Sequence, residues 1–220
     1  MEKKNFSIDE ALKFGWNTMK ANFWFFFGIL VTAFAVNWIP YLFAIVLQRS
    51  SSGLAVLFYI ASFVVGVIVN IGLIRIVLKF CDDQKPEFND LFRFKGFFWR
   101  YVGASLLMAL VVGVGMLLLV VPGIIWAIMF QFGLWLVVDK NLRIMDAFDR
   151  SGKLTKTVRW KLLGFGVLVG LINYLGILVF LIGLFATLPT TMLAYAHVYR
   201  KLLGQIDPAQ APAAQETAST

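Results

Sequence analysis

The 220 residues are 60% apolar and 16% aromatic, with 20 Lys and Arg against 12 Asp and Glu for a net charge of +8. At a mean hydropathy of +0.81, too little polar surface is left to face water, so a soluble globule is excluded and lipid becomes the main solvent. The positive balance does not read as a nucleic-acid footprint, because the charges fall between apolar runs and no basic module outside those runs is long enough to fold.

The first element in the chain is a short amphipathic helix. Ser7 and Glu10 form a capping-box pattern, and Ile8, Ala11, Leu12, Gly15, Trp16 and Met19 share one face at helical spacing. Such a helix is expected to lie in the headgroup plane with its apolar stripe in lipid. Met1 to Lys20 contains no apolar h-region and no small-residue cleavage site, so no removable signal peptide is expected.

Ala21 to Gln48 is uncharged, Arg49 to Gly53 breaks the run, and Leu54 to Ile74 is again uncharged. Each stretch fits one helix of about 20 residues across a hydrocarbon core about 30 Å thick. Asp82, Asp83, Glu87 and Asp90 follow, among Lys79, Lys85 and Arg93, and this mixture reads as a solvated loop rather than a cation site. The stretches 101–138 and 162–199 each hold 38 residues without a formal charge. As single helices they would be about 57 Å long, so each must fold back. Pro122 with Gly123 marks the expected turn of the first, and Gly183 that of the second.

The expected fold is therefore an all-α integral membrane protein with six spans, at about 23–47, 54–79, 98–120, 123–139, 161–181 and 184–199. An even count puts both termini on one side, together with 19 of the 20 basic residues and apart from Arg49. That bias is the mark of the cytoplasmic face. Residues 1–206 form one membrane domain, and 207–220, rich in Ala, Pro, Gln and Thr, read as a disordered tail.

The spans pair into repeats. A shift of 136 residues aligns Ile8 with Ile144, Glu10 with Asp146, Ala11 with Ala147, Lys20 with Lys156, Trp24 with Trp160, Gly28 with Gly164 and Asn37 with Asn173. Lys95, Trp99 and Gly103 repeat the Lys-x3-Trp-x3-Gly spacing, with Asp90, Leu91 and Phe92 in place of Glu10, Ala11 and Leu12. Three parallel units follow, at about 7–80, 87–139 and 143–200, each a cytoplasmic amphipathic helix (8–20, 87–95 and 144–156) and a transmembrane hairpin.

Within the spans, Asn37, Asn70, Gln131 and Asn173 are expected to face protein or water, because an unpaired amide in hydrocarbon costs several kcal/mol. Their expected role is interhelical hydrogen bonding, and the alternative is a polar path. Pro40 and Pro189 kink spans or open backbone toward a cavity, and Gly166-x3-Gly170 suggests a close helix contact. In the Lys-x3-Trp-x3-Gly pattern, Lys20, Lys95 and Lys156 reach headgroup phosphates, Trp24, Trp99 and Trp160 sit at the interface, and the glycines admit a close neighbour. Cys81 is the only cysteine and His197 the only histidine, so no intrachain disulfide, Cys cage or His cluster is available and no metal or cofactor is expected. Cys81 reads as an inert thiol at a helix end, and His197 as a neutral side chain at the interface.

Val120-Val121-Pro122-Gly123-Ile124-Ile125-Trp126-Ala127, then Leu136 to Lys140, then Asp146-Ala147-Phe148 with Ser151 and Trp160, resembles the uncharacterised bacterial inner-membrane proteins of the YciC-like group. The stretch also looks like the membrane domain attached to some glycerophosphoryl diester phosphodiesterases. In the latter the hydrolysis belongs to a separate soluble domain, so the resemblance implies a bacterial plasma-membrane module and carries over no catalytic residue. The expectation is thus a non-enzymatic module that handles lipids or organises partners, with anionic headgroups as candidate ligands. A small transporter or channel is the alternative.

Overall fold

The computed structural model describes residues 4–49, 51–179 and 182–206, and the expected tail at 207–220 lies outside them. Every regular element among the described residues is helical. Helix α1 (Ile8–Ala21) is followed by α2 (Phe23–Leu47) and α3 (Ser52–Cys81). A five-residue 3-10 turn, Phe88–Phe92, leads to α4 (Phe98–Leu118), α5 (Val120–Phe130) and α6 (Gly133–Lys140). The chain ends in α7 (Ile144–Thr155), α8 (Arg159–Leu178) and α9 (Leu184–Gly204).

Among the described residues, five segments are long and apolar enough to cross a membrane: α2, α3, α4, α5 with α6 (Val120–Lys140), and α8. Their flanks carry many exposed large apolar side chains, among them Phe34, Phe63, Leu110 and Leu171, a surface suited to lipid rather than water. The expected sixth span is a helix too, yet the 21 residues of α9 include Pro189, His197, Arg200 and Lys201. Instead of facing outward, α9 is the most enclosed element. Leu193, Ala194, Ala196, Val198, Tyr199, Leu202 and Leu203 are all fully buried.

Several boundaries differ from the sequence expectation for identifiable reasons. The turn of the second hairpin falls at Leu119, whose backbone is extended. Pro122 lies in the first turn of α5, where its missing N–H has no intrahelical acceptor to lose, so it opens a helix rather than stopping one. Gly123 then lets the hairpin close, since a Cβ there would stand 2.7 Å from the Met116 backbone nitrogen. The expected span 123–139 is also broken, at Gln131 and Phe132. The break frees carbonyls at the end of α5, and α7 satisfies one of them through Ser151, whose hydroxyl donates to Met129 O at 2.7 Å. The expected amphipathic helix at 87–95 is only the 3-10 turn 88–92, capped at Arg93, and Gly96 at φ +87° follows before α4.

Helix α1 does not lie on the lipid with its apolar stripe. Ala11, Gly15 and Met19 are buried, and a Cβ on Gly15 would come within 2.2 Å of the Thr190 carbonyl oxygen, so α1 is in backbone contact with α9. Phe14 also packs on His197, with ring centroids 4.8 Å apart. His197 thus faces α1 and not the interface. The other two short elements dock in a related way: Leu91 O sits where a Gly72 side chain on α3 would be, and Phe148 of α7 packs 3.1 Å from that position at Gly133 of α6. Ala11, Leu91 and Ala147, the residues aligned by the repeat spacing, each have 0% exposure.

These contacts separate glycines that need to be glycine from those that do not. Gly15→Ala and Gly72→Ala, which force backbone apart, should each destabilise the detergent-solubilised protein by about 1–3 kcal/mol. Gly164→Ala, with nothing within 4 Å of the added carbon, should be neutral or slightly stabilising in the same thermal melts.

Candidate functional site

The four intramembrane amides do not converge. Asn37 and Asn173 are each the fifteenth residue of their helix, α2 and α8, and each turns toward its hairpin partner. Asn173 and Thr191 of α9 exchange hydrogen bonds at 3.3 and 3.4 Å. The Asn37 side-chain amide nitrogen lies 3.2 Å from a Cβ placed on Gly66 of α3, and the Asn37 backbone carbonyl accepts from the Ser62 hydroxyl at 3.2 Å. Gln131 stands at the α5–α6 break with its amide nitrogen buried and without a hydrogen-bond partner. Asn70 departs from expectation, being exposed. Its amide donates to the Gly66 carbonyl one turn back at 2.8 Å, which partly satisfies the group without any other helix.

The GxxxG expectation is also not met within the chain. Gly170 has nothing within 4 Å, and Gly166 only the Tyr195 hydroxyl at 3.4 Å.

The Lys-x3-Trp-x3-Gly pattern has a consistent geometry. Trp24, Trp99 and Trp160 are each the second residue of a long apolar helix, α2, α4 and α8. They are 79%, 81% and 82% exposed, the three most exposed tryptophans. The lysines precede them at the end of α1 (Lys20), in the loop before α4 (Lys95) and at the C-cap of α7 (Lys156). One turn into each helix, Gly28 admits the Phe88 ring and Gly103 the Ile144 side chain, each within 2.7 Å of a would-be Cβ, whereas Gly164 is open.

At the same end of the molecule the sequence reading missed a buried ion cluster. Arg200 of α9 reaches Asp139 near the end of α6 at 2.7 and 2.9 Å, and Asp82 just past α3 at 2.6 Å. The Tyr199 hydroxyl donates to Asp139 at 2.8 Å, and Lys140 stands 3.6 Å from the same carboxylate. Burial alone would lower the Arg200 pKa, but the hydrogen bonds and charges of Asp139 and Asp82 hold it above its ordinary value. The chain leaves α3 and α6 through left-handed residues, Asp83 at φ 52° and Asn141 at φ 51°. Asn tolerates this conformation, and Arg100 of α4 fixes the Asn141 turn by donating to its backbone and side-chain oxygens at 2.7 and 2.6 Å.

The acids expected to be solvated are thus partly structural. Asp90 is fully buried, accepting from Lys79 at 2.7 Å and from the Glu87 backbone at 2.8 Å, with Arg93 at 3.5 Å. Burial opposes its charge, yet these donors outweigh burial and hold the carboxyl below its usual pKa. A depressed carboxyl pKa stabilises the fold above the ordinary carboxylate range, and that stabilisation is lost as pH falls through the depressed value. Among the described residues no cluster of three or more His, Cys, Asp or Glu is placed to hold a metal ion.

No protein family, curated protein or solved structure matches the chain.

The Arg200 cluster yields a stability prediction. Arg200→Gln strands two carboxylates and should cost about 3–5 kcal/mol in detergent unfolding. Asp82→Asn should cost less, because Asp139 keeps its two contacts. Combining Arg200→Met with Asp82→Asn and Asp139→Asn should recover part of the loss.

Proposed function

We propose that this chain is a non-enzymatic module of the bacterial plasma membrane that gathers anionic lipid at its inner face, as the YciC-like resemblance suggests. The single observation that carries the reading is the matched placement of Trp24, Trp99 and Trp160, each highly exposed at the second position of a membrane-length helix with a lysine four residues before it. An indole at that depth anchors in the headgroup layer, and the lysine above it reaches phosphate. A negatively charged membrane surface attracts each such basic residue by about 1 kcal/mol, less at high salt.

The same reading takes the chain as three related units with six spans, α9 being the sixth and shielded from lipid by its neighbours. Three kinds of matching position support it: the tryptophans, the buried Ala11, Leu91 and Ala147, and Asn37 with Asn173. Each short element docks on the second arm of the hairpin before it, the 3-10 turn on α3 and α7 on α5 and α6, and α1 completes the series on α9. In this scheme both termini are cytoplasmic. The transport alternative needs the intramembrane amides to share a path, and Asn37 and Asn173 instead contact different hairpin partners.

Orientation is tested by single cysteines in a Cys81→Ser background. An impermeant maleimide applied from outside should label Ser52→Cys and Leu119→Cys and spare Ser7→Cys and Lys153→Cys; the opposite pattern refutes the proposed topology. Lipid gathering is tested by Lys20, Lys95 and Lys156 all changed to Gln. Phosphatidylglycerol retained in native mass spectra should fall severalfold, and unchanged retention would reduce the lysines to generic flanking charge.

A further inference from the structure

The corner between α7 and α8 differs from the other two lysine and tryptophan positions. Here Met129, Phe148, Asp149, Lys153, Lys156 and Arg159 line an open cleft of about 310 Å³. Arg159 is the first residue of α8, and no side chain caps the start of that helix. Its Nη2 meets the Met129 thioether at 3.4 Å and its Nε is buried, and neither has an oxygen partner among the described residues. A thioether is a weak acceptor, so this cation is left short of the oxygen ligands a guanidinium ordinarily collects.

The surroundings add positive charge and little to neutralise it. Lys156 forms no ion pair among the described residues. Lys153 is engaged by Asp149 at 2.6 Å, on a well-exposed pair. The Lys4 ammonium donates to the Lys153 carbonyl from the far side, and burial together with the nearby charge of Lys156 lowers its pKa. Three cations, Lys153, Lys156 and Arg159, therefore face the one carboxylate of Asp149 in the cleft. The uncapped start of a 20-residue helix adds the positive end of its dipole to the same corner. Trp160 beside it, 82% exposed, places the cleft at headgroup depth.

We propose that the α7–α8 corner is a specific site for a phosphate ester, held between Arg159 and Lys156 with Lys153 at its rim, and that a phospholipid headgroup supplies the ester. Arg159 provides paired N–H donors for two phosphate oxygens and Lys156 a mobile point charge. Phe148 and Met129 give the cleft an apolar wall against which the glycerol end of the lipid lies. The proposal rests on the anionic-lipid reading above but narrows it from a collar of three lysines to one corner, whose key residue is an arginine outside the collar.

The test compares two pairs in the full-length chain, Lys156→Gln with Arg159→Gln and Lys20→Gln with Lys95→Gln, in nanodiscs of phosphatidylglycerol and phosphatidylcholine. Native mass spectrometry after release should show retained phosphatidylglycerol falling at least fivefold further in the first pair than in the second. An equal fall in both pairs overturns the corner site while leaving the collar, and no fall in either overturns both. Arg159→Lys keeps the charge but loses the planar donor pair, so an intermediate loss is expected; if Arg159→Gln fails to fold, this variant alone decides, and full retention in it overturns the guanidinium's role. Inorganic phosphate and glycerol 1-phosphate, added to delipidated protein in detergent, distinguish a soluble ligand. Thermal protection by either at sub-millimolar concentration, abolished by Arg159→Lys and unaccompanied by preference for phosphatidylglycerol, would overturn the lipid assignment.

Discussion

Arg200 contacts carboxylates on two other helices, and the charged end of the molecule is arranged around that contact. Asp82 terminates α3, Asp139 lies in the last turn of α6, and Arg200 sits in the last turns of α9, so one guanidinium ties together the ends of three separate chain segments. With the Arg200 and Asp139 side chains each only 10% exposed, such a cluster specifies relative helix position, whereas apolar faces slide at little cost where lipid is the alternative neighbour. The buried residues flanking it, Ile76 to Leu78 of α3, Leu136 to Val138 of α6 and Ala196, Val198 and Tyr199 of α9, form the core on which the outer helices rest.

Around that centre the short helices act as connectors. Each hairpin carries an apolar outer surface fit for lipid, while the segment entering the next hairpin packs back on the arm just completed. Backbone contacts through Gly15 and Gly72 make this possible, since a side chain at either would hold the two elements apart, and Gly133 leaves room for the Phe148 ring. The α1 contact joins residues far apart in sequence: Glu10 bonds Lys201 at 2.6 Å, and the Gln205 amide donates to the Asn5 carbonyl at 2.7 Å. Helix α1 is thereby a structural clasp rather than a float on the membrane surface.

The helical class and most helix boundaries were legible in the chain because hydrophobic run length is read directly against bilayer thickness. The matched placement of Trp24, Trp99 and Trp160 at the starts of α2, α4 and α8 was legible for the same reason, since it follows from where each apolar run begins. Other features were hidden or misdirected. Arg200 read as flanking charge because its partners lie 118 and 61 residues away. The amphipathic face of α1 fits a lipid surface and a protein groove equally well, and only the backbone approach at Gly15 separates the two. Two signals were present but outweighed: Gln131 with Gly133 interrupts an otherwise apolar run where α5 ends, and Pro122 is as suited to a first helical turn as to a stop. Arg159 gave no signal at all, because its lack of an oxygen partner is a property of the packed α7–α8 corner.

A zero-length carbodiimide crosslink reads the closing of α1 back onto α9 in the unmodified protein. At 2.6 Å the Glu10 carboxylate and the Lys201 amine are within direct coupling distance. Peptide mass spectrometry of the monomer band should identify an isopeptide bond between these two residues, lost on Glu10→Gln. A helix lying free in the headgroup plane would leave Glu10 uncoupled or joined at random to other lysines, and that result would contradict the closed arrangement.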